Sequence, residues 1–504
     1  MHGCTHKWLA WTLAVAVGFG MTAVAKAQEN PSASYSMAAD DGRAPTMAAP
    51  ASQDYLVSEN LNADAPDLAK RLADVEKALK KLDDKAKEDK KKASEKPTVV
   101  VGGRIQWDTA TFSQNAESLS QAGDWLNGTE FRRVRLFARG DINDVVDYKV
   151  QLEFAEQQTG VAATTVFPGS VGFRDVYTTI KELPFAGNIR FGQFFECWGL
   201  EQQTSSNNIT FMERSVIAPI GNIGDRKPGV MMFDWNEAET MTWWIGGFAW
   251  LAPSPQSGAY PLGTTYDDEG GYAFDMRATC LPWYDEATEG RGLLHTGMNY
   301  SYRSIATPTT GNSSYRIRQR PDSHLANYVV DTSAVTTSMY TANRINSFLP
   351  EMAFVYGPFS VQAEYEWSWV NFTNDGVRPF DGGYIYASYF LTGENRQYSR
   401  KEAIFTRVKP ITNFFRVRTE DGGIETGMGA WEVGYRVDYL NLNTLVAGAG
   451  CVVEQTLGVN WYLSPYTRMM LNYVHSETTD YTPAGTLPGR AIADIVETRV
   501  QIDF

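Results

Sequence analysis

The chain runs to 504 residues and carries 59 acidic against 45 basic side chains, a formal net charge of −14 that argues against a nucleic-acid partner. Aromatic residues make up 13% of it and charged residues 21%, and its mean hydropathy is negative. That balance is unusual for a helical membrane protein but suits a chain in which every second strand residue meets lipid.

Met1–Ala27 reads as a secretory signal peptide. Lys7 supplies the cationic start, Trp8–Val24 the apolar run, and Ala25-Lys26-Ala27 an A-x-A cleavage site ahead of Gln28. Gly18 and Gly20 interrupt the run, which disfavours a permanent membrane anchor, and no lipobox cysteine lies near the cut. The chain is therefore expected to be exported, with cleavage near Ala27. Residues 28–60 are rich in Ala, Ser, Pro, Asp and Met without periodicity, and read as a disordered leader.

From Leu61 to Ala86 the texture changes. Leu61, Leu68, Val75 and Leu82 alternate with Ala65, Leu72, Leu79 and Ala86 at four-three spacing, a heptad seam. The seam predicts a short coiled-coil helix that joins copies of the chain, Leu at a with branched d residues leaning towards more than two strands. A solitary amphipathic surface helix is the alternative. A Lys-rich linker then runs to Lys96, so that residues 61–96 form a charged stalk and Pro97 opens the last domain, 97–504.

Beyond Val99 short alternating runs recur. The stretch Phe131–Phe154 predicts a hairpin turning at Asp141–Asp144: Val134, Leu136 and Ala138 alternate with Arg133, Arg135 and Arg139, and Tyr148, Val150 and Leu152 with Asp147, Lys149 and Glu153. Strand side chains point to opposite faces with period two, so each strand has one apolar and one charged face. A solvated sheet also alternates, but a membrane barrel requires a charged face this continuous. The pattern returns in Val101–Asp108, Tyr272–Arg277, Leu294–Arg303, Phe359–Trp369, Trp431–Tyr439 and Arg499–Phe504, with Tyr and Trp near the ends of the runs. Val361, Tyr365 and Trp367 are expected to face lipid and Gln362, Glu364 and Glu366 the lumen, where substitution should cost little. The fold class is thus all-β, an antiparallel transmembrane β-barrel behind an N-terminal α-helical coiled-coil segment.

Catalytic chemistry is not in evidence. Cys197, Cys280 and Cys451 are widely scattered, His295, His324 and His475 have no ligand-spaced neighbours, and no nucleophile elbow or phosphate-cradling glycine loop occurs. No cofactor or metal is expected. The cationic charge of the last domain is mostly arginine, a planar fork suited to carboxylate or phosphate oxygens. Arg133, Arg135 and Arg139 share one strand face, and Arg316, Arg318 and Arg320 recur in a loop-like segment. Such arginines either form an anion ladder or merely balance lumenal acids, and both readings stand at this point.

The motifs GGRIQWD (Gly102–Asp108), FRRVRL (Phe131–Leu136), NIRFGQF (Asn188–Phe194), GLEQQTSSNNITFMERS (Gly199–Ser215), YFLTGE (Tyr389–Glu394), GAWEVGYR (Gly429–Arg436), NWYLSP (Asn460–Pro465) and the terminal Phe504 resemble those of the phosphate-selective porins O and P. The resemblance covers Val99–Phe504. It implies a trimeric barrel of about 16 strands in the outer membrane of a diderm bacterium, and an anion path through it. Arg104, Arg132 and Arg133 match basic pore residues of that family. Arg132 has the lipid-facing parity and reaches water only if its strand bulges or ends there. Ser205, Ser206 and Arg214 match an inward-folded loop. Three positions depart: Gln202 and Asp147 stand where phosphate-selective members carry lysines, and Arg174 where they carry an aspartate. What the resemblance implies is a passive channel, not an enzyme, taking small hydrophilic solutes with modest anion preference, phosphate or polyphosphate among them. A structural anchor whose Lys-rich stalk touches the cell wall is the alternative function.

Overall fold

The computed structural model describes residues 97–504 apart from 156–170, 186, 219, 221–224, 251–270, 306–315, 333–341, 374, 419–421 and 484–488, together with the helical Lys77, Lys80 and Lys81. The expected signal peptide, leader and linker, and all of the coiled-coil seam but those lysines, lie outside the described residues.

Residues 97–504 form one unit built on a closed barrel. Its sixteen strands, each antiparallel to the next, are β1 (Val100–Gln114), β2 (Gly128–Asn143), β3 (Val146–Glu153), β4 (Gly172–Leu183), β5 (Gly187–Phe195), β6 (Arg226–Trp235), β7 (Met241–Trp250), β8 (Gly271–Tyr284), β9 (Gly292–Ser304), β10 (Ala342–Tyr356), β11 (Phe359–Phe372), β12 (Gly376–Phe390), β13 (Ala430–Asn441), β14 (Ala449–Ser464), β15 (Thr467–Tyr481) and β16 (Ala491–Asp503). β16 returns to β1 in continuous register from Arg104–Asp503 to Gln114–Ala493, which leaves no barrel edge unpaired. At the seam the Phe504 carbonyl accepts the Gly103 N–H at 2.8 Å. A side chain at Gly102 would place its Cβ 2.6 Å from that same carbonyl, so glycine is required there.

The alternation read from the sequence is the inside–outside partition of the wall. On β8, Tyr272, Phe274 and Met276 are exposed while Ala273, Asp275 and Arg277 are buried. On β11, Val361, Tyr365 and Trp367 keep exposed or half-buried outward faces, whereas Gln362, Glu364 and Glu366 are buried within the lumen. The β2–β3 hairpin turns at Asp144 and Val145, as its polar turn predicts.

Tight two-residue turns join β2 to β3, β10 to β11 and β14 to β15 at the end that also carries both ends of this unit. In bacterial barrels that is the periplasmic end. Three long connections fold into the lumen instead of away from it. The β5–β6 connection brings Leu200, Phe211 and Ile217 inside, all buried. From the β9–β10 connection, Asp322 donates its backbone N–H to Glu454 and accepts from Thr456 Oγ1 at 2.8 Å. The β12–β13 connection enters from the periplasmic end: Phe405 packs with Leu200, Leu293, Ala353 and Val355, and Arg396 donates to Gln362 at 3.0 Å.

These insertions correct one expectation. Lumenal positions on β11 are packed against inserted chain, Glu366 being fully buried, so substitution there is not cheap. The Arg316–Arg320 stretch is also more ordered than a loop, since Arg318–Gln319 pairs with Val330–Asp331 as a two-stranded ribbon.

Candidate functional site

The inner wall of β1 and β2 and the loop between β5 and β6 bring together most of the residues singled out from the sequence. The loop leaves the wall at Gly199, whose φ of 67° lies in the left-handed region that glycine tolerates. Leu200–Gln203 then makes a single helical turn. Glu364 on β11 caps it, accepting the Leu200 N–H at 2.5 Å and the Glu201 N–H at 3.1 Å. Arg214 fastens the loop to itself by donating to the carbonyls of Glu201 at 3.1 Å, Gln202 at 3.3 Å and Thr204 at 2.8 Å. Arg214 thus spends its hydrogen bonds on loop backbone, and its side chain is half-buried.

Beyond this turn the loop runs along the wall of β1. The Arg104 guanidinium donates to Ser206 Oγ at 2.5 Å and to Ser205 Oγ at 3.4 Å. Gln106 donates to the Ser206 carbonyl at 3.3 Å, and Arg468 on β15 donates to the Ile209 carbonyl at 2.8 Å. Arg104 makes no ion pair among the described residues and remains half-buried.

Arg132 and Arg133 form a second group. The β1–β2 register slips between the pairs Gln106–Arg133 and Trp107–Phe131, leaving Arg132 as the extra residue of a bulge. Both side chains therefore reach the lumen. Arg132 grips Glu213 of the loop with Nε and Nη2, each at 2.9 Å. Arg133 donates to Gln106 at 2.8 Å and stands 3.7 Å from Glu213. Arg499 on β16 reaches the same carboxylate at 2.7 Å while holding Asp108 of β1 at 2.7 Å.

The remaining predicted residues lie apart. Arg135 is buried and paired with Glu153 at 2.5 Å, and Arg174 stands 3.7 Å from that carboxylate. Arg139 is exposed towards the periplasmic end of β2, 5.6 Å over the Phe137 ring. Gln202 is buried and Asp147 half-buried. Asp175 takes Lys149 at 2.5 Å and Arg226 at 2.6 Å.

Charge and water are distributed unevenly around the barrel. On β8–β13 three lumenal ion pairs are sealed: Arg277–Glu351 at 2.6 Å, Arg303–Glu196 at 2.8 Å and Arg436–Asp438 at 2.7 Å join side chains no more than 1% exposed. On the β2–β4 wall Arg132 keeps 19%, Lys149 23% and Arg174 15% of its side chain accessible, and Glu213 of the facing loop 14%. On this wall and its facing loop the partly accessible charges are mostly cations.

At the outer mouth, His324 of the β9–β10 connection contacts Glu130 at 2.8 Å. Burial, aided by the Arg132 guanidinium, holds its imidazole below the ordinary histidine range. His295 is buried between Glu351 at 2.9 Å and the Tyr398 hydroxyl at 2.7 Å. Among the described residues no group of His, Cys, Asp or Glu is arranged to hold a metal ion.

Glu213, Asp108 and Arg499 were not singled out as site residues from the sequence. Asp108 and Arg499 lie on the charged parity of their runs, but their meeting depends on the β1–β16 closure, which pairs them directly. Nothing in the spacing of Glu213 distinguishes it from a solvated loop acid.

The family model for the phosphate-selective porins O and P matches residues 99–504. Porin O of Pseudomonas aeruginosa is 26% identical over 414 residues, covering 76% of this chain and 83% of that protein. An uncharacterized protein of Caulobacter vibrioides is 26% identical over 406 residues, covering 80% of this chain and 73% of that one. Among solved structures, an anion-selective porin from Comamonas acidovorans aligns with a TM-score of 0.45 at 11% identity, over 81% of this chain and 100% of that one.

Proposed function

The chain belongs to the phosphate-selective porin O and P family of the outer membrane, and on that premise we propose that it is a diffusion channel for small hydrophilic solutes with a modest preference for anions, phosphate among them. The observation that carries this reading is Arg104. It is a half-buried guanidinium with no ion pair among the described residues, and its donors point at two hydroxyls, Ser205 and Ser206. A cation fixed in a narrow passage acts on a passing ion more strongly than a screened surface charge does. Hydroxyls beside it replace part of an anion's lost hydration, and the guanidinium fork favours oxyanions over chloride.

The preference is modest because most other lumenal cations are already paired. Arg135, Arg226, Arg303, Arg436 and Arg499 each sit on a carboxylate, so each contributes a dipole rather than a free charge. The working assembly in this reading is a homotrimer, as the four-three seam before the barrel also favours.

The test is the zero-current potential of the channel in a planar bilayer across a potassium chloride gradient. The parent is expected to lie on the anion-selective side, and Arg104→Ala to shift the potential towards cations. A parent that prefers cations, or an Arg104→Ala channel with an unmoved potential, would refute the reading.

A further inference from the structure

We propose that Glu213 is a tethered occupant of an oxyanion site built by Arg132, Arg133 and Arg499, and that its occupancy sets how strongly the channel prefers anions. The inference rests on the anion-path reading above and deepens it. Arg132 approaches the carboxylate as a fork, Nε to one oxygen and Nη2 to the other, both at 2.9 Å. Arg499 adds a donor at 2.7 Å and Arg133 stands at 3.7 Å. The same fork serves a carboxylate and a phosphate, because both present paired oxygens to a planar donor set.

The cluster holds cations from two strands and a carboxylate from neither. Asp108 is a wall residue, in register with Arg499 on the neighbouring strand. Glu213 arrives from the loop, whose backbone is pinned independently: its own carbonyl accepts from Arg436 at 3.1 Å and the Met212 carbonyl accepts from Arg499. The Glu213 side chain can therefore be altered while the backbone that delivers it stays fixed. It also keeps 14% of its side chain accessible, on the same side of the lumen as the water-touching cations. At ion-pair distance the three guanidiniums share two carboxylates, Glu213 and Asp108, and loss of Glu213 leaves Asp108 on Arg499 alone, with no carboxylate at that distance from Arg132 or Arg133 among the described residues. A dissolved oxyanion must compete with this tethered one, whose effective concentration is high because it never diffuses away.

A purely structural staple would also explain the contacts, so the test separates the two roles. In planar bilayers, Glu213→Gln keeps the volume and loses the charge. Its zero-current potential is expected to move further to the anion side, and the inorganic phosphate concentration that halves the chloride current should fall about tenfold. In detergent, Glu213→Ala vacates the site. Its thermal unfolding midpoint should rise on adding inorganic phosphate but not chloride at equal ionic strength, while the parent responds to neither, because a ligand stabilises only the state that binds it. A Glu213→Gln channel blocked like the parent overturns the proposal, even if the alanine variant does not assemble. So does a folded Glu213→Ala protein no more responsive to phosphate than the parent. A parent channel without anion preference would instead defeat the function proposed above, and the phosphate response of Glu213→Ala would still decide the assignment of Glu213.

Discussion

Glu364 holds the inward loop at its point of departure, and removing it should unseat the loop without opening the barrel. Its carboxylate accepts the Leu200 and Glu201 N–H groups at 2.5 and 3.1 Å, and Tyr384 donates to it as well. Leu200 and Glu201 are 0% and 3% exposed, so no water can take over those donors without rearrangement. A buried donor left unsatisfied costs roughly 1–3 kcal/mol, which puts Glu364→Ala at about 2–6 kcal/mol of loop seating if the two are counted independently. The β11–β12 ladder, including the Glu364–Tyr384 pair, depends on backbone groups that the substitution does not touch. Single-channel recordings of Glu364→Ala should therefore show a larger, noisier conductance from a protein that still assembles. Glu364→Gln retains one acceptor oxygen and should fall between the two. A Glu364→Ala channel with the parent's conductance and noise would show that the loop is held elsewhere, and the clamp argument would fail.

Other outcomes follow from the same geometry. Trp367 is 40% exposed on the outward face of β11, and Trp367→Arg should cost about 2–4 kcal/mol in a urea titration of the barrel in lipid, against almost nothing if that face met water. Leu72→Asp with Leu79→Asp should lower the temperature at which the assembly dissociates in detergent while each barrel stays folded; a double variant as resistant as the parent would rule out the seam as an oligomerising element. His324 binds a proton more weakly in the folded protein than in the unfolded chain, so its stabilising contribution is present above about pH 6.5 and fades as the pH falls through its lowered value. Amide protection across residues 316–332, taken relative to the intrinsic exchange rate at each pH, should accordingly fall between pH 7 and pH 5 in the parent, and His324→Gln should flatten that change.

The wall was legible because lipid enforces a strict period of two. Tyr272–Arg277 and Phe359–Trp369 alternate so regularly that strand, face and environment follow together. The Asp141–Asp144 turn was legible for a related reason, as a polar break between two such runs. The lumen was not, because nothing periodic governs it. Asp108 and Arg499 are 391 residues apart and meet only because the last strand closes on the first. The bulge that turns Arg132 inward has no marker in FRRVRL beyond the doubled arginine, so parity alone assigns that side chain to lipid. Nor does composition reveal which arginines are spent. Arg135 and Arg104 both lie on lumenal parity and pair with each other across β1 and β2, yet one is sealed against Glu153 and the other faces two serines.

That difference is what selectivity depends on. A net charge of −14 would predict a cation channel if it were spread evenly along the passage. Lumenal acids on β8–β16 are instead buried, some in sealed pairs such as Glu351 with Arg277 and others, such as Glu364 and Glu454, held by hydroxyl and backbone donors, while the acids that reach the water-facing wall are outnumbered by the cations around them. An ion in transit responds to the charge left over within a Debye length, about 8–10 Å in physiological salt, not to the total. The sign of that remainder rests on a few side chains, Arg104 on one side and Glu213 on the other. Substitutions at these two positions should therefore move the zero-current potential in opposite directions.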